Sequence, residues 1–246
     1  TPGRYEKMLS GTNLDVNQLL SLIEPRQGKA TIGKVAVNAV MSGCLPEHLP
    51  VLVAAANALG NSDLNLKALN TTTHPCAVLA IISGPIVEEI DINSTYNALG
   101  QGSLANATIG RAVRSMLLNI GGGTPGILDR ATMGSPAKFS FCFGERADES
   151  PWGETLAMER GFAPDQNTVT LCGVEGPHNV NDHYGKTAEE ILLTVGGTMA
   201  QPGLNNSYLG GEIMVVLGPE HAEIIAKDGF SKSDIRNFLM EHARIP

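Results

Sequence analysis

Large aromatic rings are scarce in this sequence, at 4% of residues, so a core has to be built from closely packed Ala, Val, Ile and Leu. Charge is thin as well: 17% of residues are Asp, Glu, Lys or Arg, and the net charge is −8. No Lys/Arg cluster appears. A phosphate backbone would find nothing to neutralise it along a groove, which argues against nucleic acid as a partner. No apolar run approaches the ~20 residues that a membrane span needs, and no signal-peptide pattern is visible. Cysteine is limited to Cys44, Cys76, Cys142 and Cys172, with no CxxC pair among them. Three of the four sit in apolar or strand-like runs, where a free thiol behaves as a small hydrophobe. These readings together point to a reducing cytoplasm and no disulfides.

What is present is a 42% hydrophobic chain of 246 residues, long enough for a sizeable core. The sparse charge suggests surface buried by self-association, so a homo-oligomer is expected. Helices are expected at 3–10 and 14–23, with a loop over 25–29. From Thr31, the residues Ile32, Val35, Ala36, Ala39 and Val40 follow one helical face, with Thr31 as N-cap and Gly43 as the stop. A buried helix follows over 47–59, closed by Gly60. Beyond residue 60 the pattern changes to strands at 64–70, 76–85, 137–145, 167–176 and 212–219. Helices are expected over 105–119, 150–162 with Ser150 as cap, 186–197, 220–228, and 232–243 after a Ser231 cap, with Gly-rich GGGTPG (121–126) as a loop. This predicts a single α/β domain over 1–246, with a helical part (1–60) and an α/β part (61–246). Its sheet is expected to be mixed but largely parallel and flanked by helices. Three strands end on Gly-Pro, at Gly84, Gly176 and Gly218, and PEH occurs twice, which suggests two related half-units. In a parallel sheet those turns would gather at the carboxyl ends, where open α/β sheets bind ligands.

Two polar stretches carry the candidate chemistry. SGCLPEHLP (42–50) places Cys44, Glu47 and His48 within five positions, stiffened by two prolines. Cys44 precedes a helix start, and a helix N-terminus lowers a thiol pKa and favours the nucleophilic thiolate. The plainer alternative is a cysteine packed in a helix–helix turn. EGPHNVNDH (175–183) supplies His178, Asp182 and His183 for acid–base work, metal ligation or merely a solvated loop. Glu220 and His221 open a helix, where a carboxylate also suits the dipole. The histidines and carboxylates together could hold a divalent metal, although their spacing fixes no geometry. Arg111 could clamp an anionic substrate bidentately, with Asn106 as a further substrate contact. GGGTPG lacks the GK[ST] ending of a phosphate loop and reads as a helix stop.

Four stretches, MSGCLPEHLPVLVAAANAL, NATIGRAVRSMLLNIGG, SPWGETLAMERGF and GPEHAEIIAKDGFSK, together resemble an uncharacterised bacterial family associated with the UGSC proteins. In that family a selenocysteine or cysteine sits in a U/C-G-S-C motif. The resemblance covers most of the chain and implies thiol-linked chemistry. It carries no residue roles over. This sequence has no C-G-S-C, so the implied redox motif would lie on a separate thiol or selenol partner or on a removed segment. The leading expectation is a cytoplasmic lyase or hydrolase cleaving a C–S or C–N bond in a small anionic substrate. Cys44 would be the nucleophile. His48, His178 or His183 would move protons, oriented by Glu47 or Glu220. The alternatives are a metal-dependent lyase or hydrolase and a non-catalytic oligomeric scaffold.

Overall fold

A computed structural model describes residues 1–244. Contacts divide the chain into two compact units. The first comprises Thr1–Arg146 and Thr155–Gly176; the second comprises Ala147–Glu154 and the described residues of Pro177–Pro246.

The first unit opens with α1 (Pro2–Leu9) and an antiparallel hairpin, β1 (Leu19–Ile23) and β2 (Gly28–Thr31). Then come α2 (Ile32–Ser42), α3 (Leu49–Leu59) and α4 (Leu66–Thr71). The strand β3 (Ala77–Ser83) leads to the short α5 (Ile86–Glu89) and the long α6 (Leu104–Asn119). β4 (Cys142–Gly144), α7 (Leu156–Glu159) and β5 (Thr168–Val174) complete it. The three-stranded sheet has the order β4-β3-β5, with β3 central and almost wholly buried. β4 pairs parallel to β3 and β5 pairs antiparallel. α2, α3 and α6 supply most of the core, including Val35, Ala39, Leu52, Ala55, Ile109, Val113 and Met116.

The mixed α/β class stands, but the sheets are small and mostly antiparallel, not largely parallel. The reversal of β5 matters for the Gly-Pro turns. Ser83 pairs with Thr168 and Ala77 with Val174, so Gly84 and Gly176 leave opposite ends of the sheet. The third expected strand, 212–219, makes no ladder; Ile213 and Val216 are exposed, and Gly218 is the N-cap residue of a helix.

Other differences have local causes. The 14–23 and 25–29 stretches form the hairpin, because Leu19 to Ile23 gain a pairing partner in Gly28–Thr31. The first sixty residues are therefore not wholly helical. The alternation in LNLKALN is too short to separate a period of two from one of four. Leu66 and Asn70, four apart, are the buried pair, and the segment is helical. Over 137–145 only Cys142–Gly144 is strand, after a 3-10 turn at Pro136–Lys138. Over 150–162 the cap is Thr155 rather than Ser150, and the helix is one turn long. Thr31, Gly43 (φ 89°) and Ser231 take their expected capping roles.

The second unit is helical: α8 (Ala188–Met199), α9 (Asn205–Leu209), α10 (Pro219–Lys227) and α11 (Lys232–His242). Ile191, Leu192, Val195, Ile225, Ile235 and Leu239 form its core. The Trp152 indole N–H donates to the Phe230 carbonyl at 2.8 Å. Asp228 accepts the Ala188 N–H at 2.6 Å, satisfying an orphan donor of the first turn of α8. No helix among the described residues is long and apolar enough to cross a membrane.

α6 lies against the entry to β4 at Gly110. A Cβ there would collide with the Ser140 hydroxyl oxygen and come within 2.6 Å of the Phe141 backbone nitrogen. Only a hydrogen fits. Gly110→Ala, although it favours helix locally, should therefore destabilise the protein by about 2 kcal/mol through overpacking. Urea unfolding checks this; an unchanged or raised midpoint would show that the helix can move away freely.

Candidate functional site

His48 closes the 3-10 turn Pro46–His48, which Pro46 starts without losing a needed donor. The imidazole is 2% exposed, yet it lines a cleft of about 560 Å³. The Leu45 N–H donates to His48 Nδ1 at 3.3 Å, and the Thr108 hydroxyl lies 3.4 Å from the same nitrogen. An Nδ1 that accepts an N–H puts the proton of the neutral ring on Nε2. Among the described residues no protein group pairs with Nε2, so that edge of the ring is left for the cleft. Burial lowers the His48 pKa, and the charge of neighbouring Glu47 only partly opposes this.

The facing wall is the stretch from Glu89 to Ser103, held by Asn106 at the first turn of α6. The Asn106 carboxamide is 4% exposed. Its Oδ1 accepts from the Asn93 N–H and the Ser103 hydroxyl, both at 2.8 Å. Its Nδ2 donates to the carbonyls of Asn93 and Ala98 at 2.9 and 3.0 Å. Two donors and two acceptors exhaust the group. Asn106 is therefore a loop staple with nothing left for a substrate. Glu47, Glu89 and Asp91 also line the cleft, and no Lys or Arg does.

Cys44 is buried and does not line the cleft. Its thiol donates to the Thr108 carbonyl at 3.3 Å. Burial pushes the thiol up to about 11, although a hydrogen bond with the Thr108 side chain partly offsets the shift. The expected helix-end activation is overridden by desolvation. Cys142 beside it is pushed up to about 12 by burial first and by Cys44 second. None of the four cysteines forms a disulfide among the described residues. Arg111 is exposed on α6 and lies outside the cleft lining.

In the second unit His221 and Asp182 meet, but through the backbone: His221 Nε2–H donates to the Asp182 carbonyl at 3.0 Å. The Asp182 carboxylate accepts from the N–H groups of Gly185 and Tyr184 and from the Thr194 hydroxyl. These bonds, with the Gly185 N–H foremost, hold it below the usual carboxylate range. It anchors the turn into α8. His178 Nδ1 accepts from Gln201 at 3.2 Å, while His183 and Glu220 are exposed. Among the described residues no three His, Cys, Asp or Glu side chains converge as a metal site.

Two arrangements lay outside the sequence reading. Asp129, 6% exposed, accepts from Arg114 at 2.6 Å and from Lys138 at 2.9 Å. Burial raises its pKa, but the Lys138 bond, the Ala131 N–H and both cations outweigh it and leave it lowered. His74 Nε2 meets Glu175 Oε1 at 2.6 Å beside the sheet end. The apolar neighbours of Arg114 and the TTTHP context give no hint of either partner across the chain.

No protein-family model matches the chain, and no curated protein or solved structure is significantly similar to it. The UGSC resemblance thus rests on the four quoted stretches alone.

Asn106→Ala should remove about 3 kcal/mol of stability, because it strands backbone groups of a partly buried loop. Chemical denaturation measures this, and a loss within that of an ordinary surface change would refute the staple. His48 supplies a pH dependence. Below the ordinary 6.5 the unfolded chain takes up a proton that the folded imidazole refuses. Stability therefore falls as pH drops below 6.5 and levels off beneath the folded value. Thermal unfolding from about pH 7 to about pH 5 should show this fall, and His48→Gln should flatten it. An equally steep fall in the variant would assign it to other groups.

Proposed function

We propose that the first unit is an enzyme of proton-transfer chemistry on a small molecule, with the His48 cleft as its site. The observation that carries this reading is the buried imidazole at the cleft, with Nδ1 occupied by the Leu45 N–H and Nε2–H without a protein partner. A neutral imidazole fixed in that tautomer is a hydrogen-bond donor to substrate oxygen. It can stabilise negative charge as it develops on a carbonyl or leaving-group oxygen. The complementary base is a carboxylate of the same cleft. Glu47 is the first candidate, because its charge is the one His48 feels.

The reaction class that suits these parts is removal of a proton beside a carbonyl, followed by elimination or by return of the proton elsewhere. That keeps the expected lyase class but moves the chemistry from the Cys44 thiol to the His48 ring. A thiolate route would have to overcome burial that raises Cys44 to about 11. A metal route lacks a converging donor set among the described residues. Cys44 instead supports the site through Thr108, which touches both side chains.

Exchange of carbon-bound hydrogen in D₂O tests the proposal without knowledge of the full reaction. The protein is incubated with a panel of small carbonyl compounds, and C–H to C–D exchange is followed by NMR. At least one compound should exchange, and His48→Gln should slow it about a hundredfold. Glu47→Gln should slow it comparably, while Cys44→Ala should leave it within a few-fold. Exchange no faster than in His48→Gln protein, across the panel, would reject the reading.

A further inference from the structure

We infer that the His48 cleft takes a small organic cation, an ammonium-bearing compound, rather than the anionic substrate that Arg111 suggested. The inference rests on the cleft being the functional site and adds the class of molecule that enters it. Three carboxylates, Glu47, Glu89 and Asp91, line the cleft; no Lys or Arg does. The one imidazole there is held neutral by burial and adds no positive charge; its unpartnered Nε2–H suits an acceptor elsewhere on the same molecule, such as a carbonyl oxygen. The three acidic residues are exposed, so their charge faces the solvent from which a ligand enters the cleft.

One feature pulls the other way. Ser103, Leu104 and Ala105 bring the N-terminus of α6 to the cleft. A helix end is worth roughly half a positive charge, and its effect fades within a turn. Three full carboxylates outweigh it. Their arrangement also separates an organic cation from a metal ion. No three acidic or imidazole groups among the described residues converge on one point, as a divalent ion would require. Charges spread over the walls of a cleft of about 560 Å³ instead match a molecule several atoms long. The Tyr96 ring, 94% exposed among the lining residues, offers a face that also favours an ammonium group.

The test is a titration of ¹⁵N-labelled protein with putrescine, with succinate and with magnesium chloride, read at the Asn93 and Gly102 amides and the His48 ring. Putrescine should move these signals saturably, and added salt should weaken it. Glu47→Gln and Asp91→Asn should each weaken it about threefold, and the double variant about tenfold. Asp91 sits at φ 54°, a conformation that Asn tolerates equally well, so Asp91→Asn preserves the loop. Putrescine binding that ignores both variants overturns the inference, as does a cleft that responds only to magnesium. Succinate moving the same signals while putrescine does not overturns the cation class but leaves the proton-transfer site standing. If no probe moves the cleft the inference also falls, and deuterium exchange in the His48→Gln comparison then judges the site independently.

Discussion

A single carboxamide sets the shape of the cleft. Asn106 uses both lone pairs of Oδ1 and both hydrogens of Nδ2 on Asn93, Ala98 and Ser103. Without it the 91–103 stretch would have to find other partners for backbone groups that are half out of water. The staple works because Asn106 stands on a rigid support. α6 packs on α2 and α3 through Ile109, Val113 and Met116, and reaches the sheet closely at Gly110. Core packing thus fixes the helix, the helix fixes one amide, and the amide fixes the wall that faces His48.

The far half of α6 is fixed by charge instead. Asp129 is nearly inaccessible, and a carboxylate there is tolerable only because Arg114 and Lys138 both donate to it. Its carboxylate also takes the Ala131 N–H, so the loop after GGGTPG is tied to the helix that precedes it. α6 therefore carries an apolar face to the core, a polar staple at its first turn and an ion-paired anchor near its last. The cleft inherits its rigidity from all three.

How much of this was legible in the sequence depended on range. Thr31, Gly43 and Ser231 were readable as helix ends because capping involves only three or four neighbouring residues. β3 was readable because a short run of β-branched and apolar residues has few other uses. Direction of pairing was not readable: nothing in Thr168–Val174 states that it runs against β3 rather than with it. The hairpin failed for the same reason, since Leu19–Ile23 becomes a strand only when Gly28–Thr31 folds back on it. Of the SGCLPEHLP stretch, Leu45, Glu47 and His48 line the cleft. The protonation preferences of its side chains were not legible there, because burial, a property of the whole fold, sets them. Asn106 drew notice as a substrate contact, and only the three-dimensional count of its hydrogen bonds turns it into a staple.

One physical effect separates the two side chains. Desolvation disfavours the charged form of any group, whatever its sign. Around Thr108 it acts on a thiol and an imidazole together. For Cys44 the charged form is the thiolate, so burial disfavours the nucleophilic form. For His48 the charged form is the imidazolium, so the same burial retains a neutral ring whose Nε2–H can donate. An exposed version of this loop would reverse both assignments, with a more acidic thiol and a ring that charges at mild pH. The environment that holds the thiol protonated is therefore the one that holds the imidazole neutral, and the same packing acts in opposite directions on the two chemistries proposed for this loop.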